Sequence, residues 1–465
     1  MKASPNNYPE EAALVIREHP EVRASVTGAT LNFDQNRRKA YSEIDTEAWR
    51  VWAEAVKNHL LTHLDGYLRQ AEASLVANGV QVHWAEDAEA AQQILARLVR
   101  ENQVRTVVKA KSMLSEELGV NPLLESLGAR VFETDLGEYI IQLENEPPSH
   151  IVGPAIHKNL EEIRQVFHRH FGTALNETPE ALAAVARKRL RDAFLRAEMG
   201  ISGANFLAAD TGTIALIENE GNIRLSTSTP RIHVALVGIE KLVPRFSDLA
   251  VFLSLTARAA TGQRLGTFVS LIQGPRKPGE HDGPEQVHVI LVDNGRTGVL
   301  ADPEAWETLR CVRCGACLNA CPVYRQTGGH AYGYVYSGPI GAVLAPGLLG
   351  LEAAKALPYA SSLCGACFEA CPVRIPIPKL LLAWRSRAVE QGMTPRFEAA
   401  AIRAYAFAMT HPLLYRLAAR FIRYLPDQVL DNRVVPVVKA WTEGRAGLKP
   451  SPKSFRELWE SGEAQ

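Results

Sequence analysis

The sequence predicts an α/β domain, then a mainly helical region organised by cysteines, then a helical basic tail. Three observations predict it. Strand and helix patterns alternate from about residue 66 onward, all seven cysteines fall between Cys311 and Cys371, and residues 376–465 carry 14 Lys+Arg against 8 Asp+Glu. Strands alternating with helices mean βαβ units and a parallel sheet. The expected divisions are a helical lead-in over 1–65, the α/β domain over 66–295, the cysteine domain over 300–385 and the tail over 386–465.

In the lead-in, Trp49, Trp52, Val56, Leu60 and Leu64 recur at helical spacing and predict a packing stripe. Val80 to Trp84 reads as a strand, followed by a helix from Asp87 to Arg100 with Ala91, Ile94, Leu95 and Leu98 on one face. Arg105 to Ala110 is the second strand. Ser112 can cap the helix after it, with Glu116 and Glu117 in the first turn where the helix dipole favours them. Asn121-Pro122 starts another helix that ends before Gly128, and Arg130 to Glu133 is a third strand. After about residue 200, Thr213 to Ile217, Ile232 to Val237, Gly266 to Ile272 and Val287 to Val292 read as strands. Gly274 to Gly283 is a loop before the last of them. Asp302 to Arg310 is expected as a helix leading into the cysteines.

Cys311, Cys314, Cys317 and Cys321, followed by Pro322, spell C-x2-C-x2-C-x3-C-P, the bacterial ferredoxin run. Three thiolates at three-residue steps wrap one iron–sulfur cube, and the fourth reaches a second cube. A shorter run follows at Cys364, Cys367 and Cys371, closed by Pro372. Exchange of the last ligands assigns Cys311, Cys314, Cys317 and Cys371 to the first cluster, and Cys321, Cys364 and Cys367 to the second. One ligand is missing, and the spacing puts Ser361 in its place. A three-iron cluster, a four-iron cluster with a hydroxyl or solvent ligand, and a four-iron cluster with an open site all remain open. The expectation is two [4Fe-4S] clusters, the second with three Cys ligands and a non-cysteine fourth. Zinc competes for C-x2-C pairs, but it has no use for a third cysteine three residues on or for the proline. Tyr332, Tyr334 and Tyr336 can shield a cluster or pack against the α/β domain.

Two polar stretches look like a pocket. Lys109, Lys111 and Ser112 lie at a strand's carboxyl end, where open α/β sheets bind ligands, and Glu133, Asp135 and Glu138 end the next strand. Asp210, Thr211, Gly212 and Thr213, with Glu218, Glu220, Gly221 and Asn222, form the other stretch, which reads equally well as ordinary hairpin turns. His150 and His157 flank Pro154 and are candidate acid–base groups, although single histidines are more often structural.

A formal charge of zero argues against a nucleic-acid partner. The longest apolar stretch, Ile340 to Leu351, is broken by Pro346 and is too short to span about 30 Å of hydrocarbon. Charges near the N-terminus do not fit a secretory signal, and an odd cysteine count fits a reducing compartment, so the expected location is the cytoplasm. Phe397 to Tyr424 reads as an amphipathic helix carrying Arg403, Arg416, Arg420 and Arg423. It is either a solvated face or a docking surface for an acidic partner or anionic lipid, a peripheral membrane contact. Neither a G-x-G-x-x-G between strand and helix nor a P-loop is present, so the chemistry expected is electron transfer.

These stretches resemble the lactate utilization protein B family, the iron–sulfur member of a bacterial three-protein lactate oxidation system. The resemblance is carried by Lys109-Ala110-Lys111-Ser112-Met113, Glu133-Thr134-Asp135-Leu136-Gly137-Glu138-Tyr139-Ile140-Ile141-Gln142 and Ala209-Asp210-Thr211-Gly212-Thr213. Both cysteine runs, Gly329-His330-Ala331-Tyr332-Gly333 and Lys453-Ser454-Phe455-Arg456 add to it. It implies a lactate-utilization domain similar in fold to sugar-phosphate isomerases and CoA transferases, followed by a two-cluster ferredoxin-like domain. It further implies electron transfer during oxidation of L-lactate to pyruvate, with a cysteine-rich subunit and a second lactate-utilization-domain protein as partners. The family's ligand positions carry over onto all seven cysteines, and the lack of a cysteine at 361 resembles the family's own pattern. No catalytic residue is carried over. The competing readings are an iron–sulfur subunit of another 2-hydroxy-acid or glycerol-phosphate dehydrogenase feeding quinones, and a redox-sensing ligand-binding protein.

Overall fold

Ten strands form two sheets in a computed structural model that describes residues 4–423 and 451–463. They are β1 (Gln81–Ala85), β2 (Thr106–Lys109), β3 (Arg130–Glu133), β4 (Met199–Ser202), β5 (Phe206–Ala208), β6 (Thr213–Glu218), β7 (Ile232–Gly238), β8 (Leu242–Val243), β9 (Phe268–Ile272) and β10 (Gln286–Val292). Six of them pair in parallel in the order β1-β10-β7-β4-β2-β3, and the others form a mixed sheet, β8-β5-β6-β9. Successive side chains of the parallel strands point to opposite faces. Val107, Ile201, Val234 and Ile290 therefore meet Ala91, Leu95 and Leu98 of the helix Ala88–Glu101 on one face. Ala235, Val237, Val289 and Leu291 meet Leu60, Leu64, Ala71 and Leu75 on the other. A parallel sheet covered on both faces reads as near-continuous apolar runs, as β7 and β10 do.

The strands expected from alternation are present within a residue or two. β4, β5 and β8 were not expected, because each is short and β4 contains a glycine. A Cβ at Gly200 would lie 1.7 Å from the Ser226 carbonyl oxygen, so the neighbouring backbone requires glycine there. Ser112 caps its helix as expected, accepting from the Ser115 amide, and Asp87, expected as the first helical residue, is instead the cap of Ala88–Glu101, accepting from the Ala90 amide. The helix expected to start at Asn121-Pro122 begins at Val120, after Gly119 in the left-handed region.

The lead-in folds as the helices Tyr8–Glu18, Pro20–Tyr41, Thr46–Thr62 and Leu64–Ala77, the last of which crosses the expected boundary at residue 65. The packing stripe needs correction. Leu60 and Leu64 are buried, but the other inward residues are Arg50, Ala53, Lys57 and Leu61, while Trp52 is 37% exposed. The cations turn inward because carbonyls await them. Lys57 Nζ donates to the Glu240 and Leu242 carbonyls at 2.5 and 3.3 Å, and Arg50 does likewise at the cysteine region. The helix expected over Asp302 to Arg310 is a 3-10 turn, Trp306–Arg310, because Pro303 disfavours the helical region for Asp302, whose ψ is 115°.

The chain divides into two compact units, Met1–Ala388 and Val389–Gln465. In the second, the stretch expected as one helix is two, Arg396–Thr410 and Pro412–Arg423, broken at His411 by the proline that follows. Tyr424 lies outside the described residues. Among the described residues no helix is long and apolar enough to cross a membrane.

Candidate functional site

The two cysteine runs repeat one backbone course. In the first, Arg313 (φ 60°) and Gly315 (φ 75°) turn the chain through the left-handed region into the helix Ala316–Ala320, which ends at Cys321 (ψ 118°) before Pro322. In the second, Leu363 (φ 57°) and Gly365 (φ 85°) lead into Ala366–Ala370, ending at Cys371 (ψ 121°) before Pro372. The prolines fit because the residue before a proline favours this extended ψ.

Cys311, Cys314, Cys317 and Cys371 line one small void, walled otherwise by side chains such as Val312, Ile340 and Ile375. Three thiols thus come from the first run and one from the end of the second. Burial pushes the Cys371 thiol up to about 11, with Cys311 adding to the shift against two backbone amides. Burial raises Cys314 as well, followed by the charges of Cys371 and Cys311. Cys367 is pushed up to about 12 by burial, then by Cys321 and Cys364. Cys317 feels Cys311, Cys314 and Cys371 and also Cys367, so the two groups adjoin. Crowded, buried thiols resist ionising together, and thiolates persist in such a cage when cationic iron compensates them. The donor set therefore fits iron–sulfur clusters. Amides of Arg313, Tyr324 and Ile375 donate to Cys311, Cys321 and Cys371 Sγ at 3.4–3.5 Å, the kind of contact that tunes cluster potential. Six of the cysteines are buried and Cys364 is exposed.

Ser361 takes the place of Cys311 in the second run. Its Oγ accepts from the Leu363 amide at 3.1 Å, just as Cys311 Sγ accepts from Arg313.

A second cavity, of about 280 Å³, opens at the carboxyl ends of the parallel strands. Of the expected pocket residues it brings together Lys111, Ser112, Asp135, Glu218, Glu220 and Asn222, and its far wall contains Arg313 and Cys314. Lys109, Glu133 and Glu138 lie outside its lining. Lys109 Nζ is fully buried against Glu133 (2.8 Å), Glu116 (3.0 Å) and Ser115 (2.8 Å). Burial, with Glu133 next to it, drives Glu138 well up toward its neutral form. These residues form an internal charge cluster at the ends of β2 and β3. Asp210, Thr211, Gly212 and Thr213 also lie outside the cavity and form the β5–β6 turn. Asn78 Nδ2 holds the Thr211 carbonyl at 2.8 Å, and a Cβ on Gly212 would lie 2.8 Å from the Leu75 amide nitrogen.

His150 is structural. Its Nδ1 accepts from the amides of Val152 and Gly153, which leaves Nε2–H to donate to Asn319 Oδ1 at 3.1 Å, and burial lowers it to about 3. His157 is bound to Glu146 at 2.8 Å. Tyr336 packs toward the α/β region, its hydroxyl donating to Glu117 Oε2 at 2.5 Å, while Tyr332 packs against Tyr8 with the rings tilted by 56°.

A family model described as the LUD domain matches residues 68–292, a 4Fe-4S dicluster domain matches 307–375, and the C-terminal region of lactate utilisation protein B matches 374–463. The lactate utilization protein B of Shouchella clausii is 42% identical over 95% of this chain and 94% of its own length. That of Geobacillus thermodenitrificans is 45% identical over 88% of this chain and 87% of its own. The chain belongs to the lactate utilization protein B family. An Escherichia coli relative described as the uncharacterized electron transport protein YkgF is 42% identical over 96% of this chain and 95% of its own.

For this member of the lactate utilization protein B family, sequence reasoning missed the positive wall of the cavity: Lys241, Arg296 and Arg313, with Glu240 among them. The rule that singled out Lys109 also applies to Glu240-Lys241, separated by one residue from the carboxyl end of β7. Arg313 was hidden by the cysteines on either side of it.

Proposed function

We propose that this chain is an iron–sulfur electron carrier in the oxidation of L-lactate to pyruvate. Two [4Fe-4S] clusters take up and pass on single electrons. Cys311, Cys314, Cys317 and Cys371 hold the first, and Cys321, Cys364 and Cys367 hold the second, with Ser361 placed to supply the fourth ligand. The observation that carries the reading is the position of Cys314, which lines both the thiol void and the sheet cavity. A molecule in that cavity is therefore adjacent to the first cluster, and the exposed Cys364 puts the second toward an external partner.

The division into 1–65, 66–295, 300–385 and 386–465 follows the same logic, with a lactate-utilization domain of the isomerase and CoA-transferase kind presenting the cavity and a ferredoxin-like domain presenting the clusters. The working partners are a cysteine-rich subunit and a second lactate-utilization-domain protein, in the cytoplasm. Exposed Phe397, Tyr405, Leu413 and Phe421 support a docking role for the tail.

The test is electron paramagnetic resonance of oxygen-free protein, with L-lactate added in the presence and absence of the partners. Lactate-dependent appearance of reduced-cluster signals in the assembled system is expected. Zinc in place of iron, or clusters indifferent to lactate in the full system, would refute the reading.

A further inference from the structure

The sheet cavity has two electrostatic poles. At one, Lys111 is satisfied by Asp135 (3.3 Å) and the Val152 carbonyl (2.6 Å), and burial raises Glu220 toward its neutral form, with Asp135 adding to the shift. Glu218 accepts from the amides of Ile223 and Arg224 at 2.6 and 2.9 Å. At the other pole the cations outnumber their partners. Arg296 is held by Glu117 (2.8 and 2.9 Å) and by Glu240 (2.7 Å), and the second Glu240 oxygen is 3.4 Å from Arg313 Nη2.

Three polar groups of the lining are left over. Lys241 is half-buried in the lining and makes no hydrogen bond or ion pair among the described residues. Arg313 Nη1 and Thr256 Oγ1 are buried without a partner. Buried polar groups are almost always hydrogen-bonded, so two left unpaired in one cavity, with the unpaired Lys241 beside them, point to a ligand that satisfies them. Two cations call for an anion, and the planar Arg fork suits a carboxylate. A cavity of about 280 Å³ suits a small acid rather than a dinucleotide.

We infer that this cavity is a binding site for a small 2-hydroxy or 2-oxo acid, with Lys241 and Arg313 holding the carboxylate and Thr256 bonding the oxygen on the neighbouring carbon, against the wall that carries Cys314. The inference rests on the lactate reading for the choice of acid, while the site stands on the unpartnered donors.

The test uses full-length, oxygen-free protein whose cluster signals are verified before each measurement. Equilibrium dialysis with labelled L-lactate and pyruvate is expected to show binding, and the uncharged isostere L-lactamide is expected to bind at least tenfold more weakly. Lys241→Gln should weaken binding of both acids about 10- to 100-fold, and Thr256→Val about tenfold, with both clusters retained. The inference is overturned if cluster-loaded protein binds neither acid, if lactamide binds as well as lactate, or if Lys241→Gln shifts only the cluster potential and leaves binding unchanged. The two readings fail separately. Acids that bind this chain while the assembled system never reduces its clusters with lactate would sink the lactate reading and support the site. Lactate-driven reduction with no acid bound to this chain would sink the site alone.

Discussion

Arg50 ties the lead-in helix to Cys371, the thiol that the second run contributes to the void lined by Cys311, Cys314 and Cys317 and that is proposed to complete the first cluster. Its side chain is 10% exposed, Nε donates to the Cys371 carbonyl at 2.9 Å and Nη2 to the Phe368 carbonyl at 2.8 Å. Arg50→Met keeps an apolar stem and removes both bonds. Hydrogen bonds to a charged group are worth about 1.5–3 kcal/mol each, so the loss is about 3–6 kcal/mol. That is a large fraction of the roughly 5–15 kcal/mol of a typical domain. The loss acts on the turn that delivers Cys371 to three thiols of the other run, so the first cluster should suffer before the α/β sheet does. Iron and sulfide per chain, the spectrum of the reduced clusters and the urea midpoint, all measured under argon, report these effects. The expected outcome is loss of the first cluster's signal and a lower midpoint, with Arg50→Lys intermediate. An Arg50→Met protein with full iron and an unfolding free energy within about 0.5 kcal/mol of the parent would refute the clamp.

Cys371→Ser should remove the first cluster although the residue lies in the second run, and loss of the second cluster alone would show the ligand exchange to be wrong. Ser361→Cys should convert the second cluster to four-cysteine ligation and change its resonance spectrum and potential; an unchanged spectrum would mean that position 361 does not face the cluster. Burial holds His150 near 3 and His233 near 4, below the roughly 6.5 of an unfolded chain. The unfolded chain therefore binds more protons below pH 6.5. Their stabilisation is complete above that value and falls on acidification toward pH 4, by about 1.4 kcal/mol per pH unit for each histidine. His288 is likewise lowered to about 4 by burial, so urea titrations should show a stability loss of about 1.4 kcal/mol per histidine between pH 7.5 and 5.5, and His233→Gln should remove about a third of the total.

Strand periodicity located most of the sheet in the sequence, because strands buried on both faces announce themselves as apolar runs such as Val287 to Val292. It missed β4 and β5, where glycine and short length leave no period to read, and where pairing is decided by neighbours distant in sequence. The gathering of Cys311, Cys314, Cys317 and Cys371 around one void was legible for a different reason: a metal site fixes the spacing of its own ligands. The cavity was half legible. Lys111, Ser112, Asp135, Glu220 and Asn222 stood out as polar residues at strand ends, but Asp210 to Thr213 had the same local composition and is only a turn. The misplacement of the stripe at Trp49 and Trp52 has a similar cause. An apolar pattern assumes that charges face water, and the burial of Arg50 and Lys57 depends on carbonyls supplied by other parts of the fold.

Those inward cations also explain how one wall can serve both cavity and cluster. Glu117, Arg296, Glu240 and Arg313 form a buried chain of alternating charge from the helix after β2, through the ends of β10 and β7, into the first cysteine loop. Tyr336 closes it, accepting the Arg313 guanidinium over its ring at 4.4 Å and donating to Glu117. A buried pair gains little over an apolar one, but removing one member leaves an uncompensated charge that costs about 3–5 kcal/mol. Such a network resists any displacement that parts its members. Its value lies in registration: Arg313 is simultaneously the end of this chain and the residue beside Cys314. A cysteine loop that slid relative to the sheet would have to break the Glu240 contact first, so the spacing between whatever occupies the cavity and the Cys314 thiol is fixed by the same charges that shape the cavity.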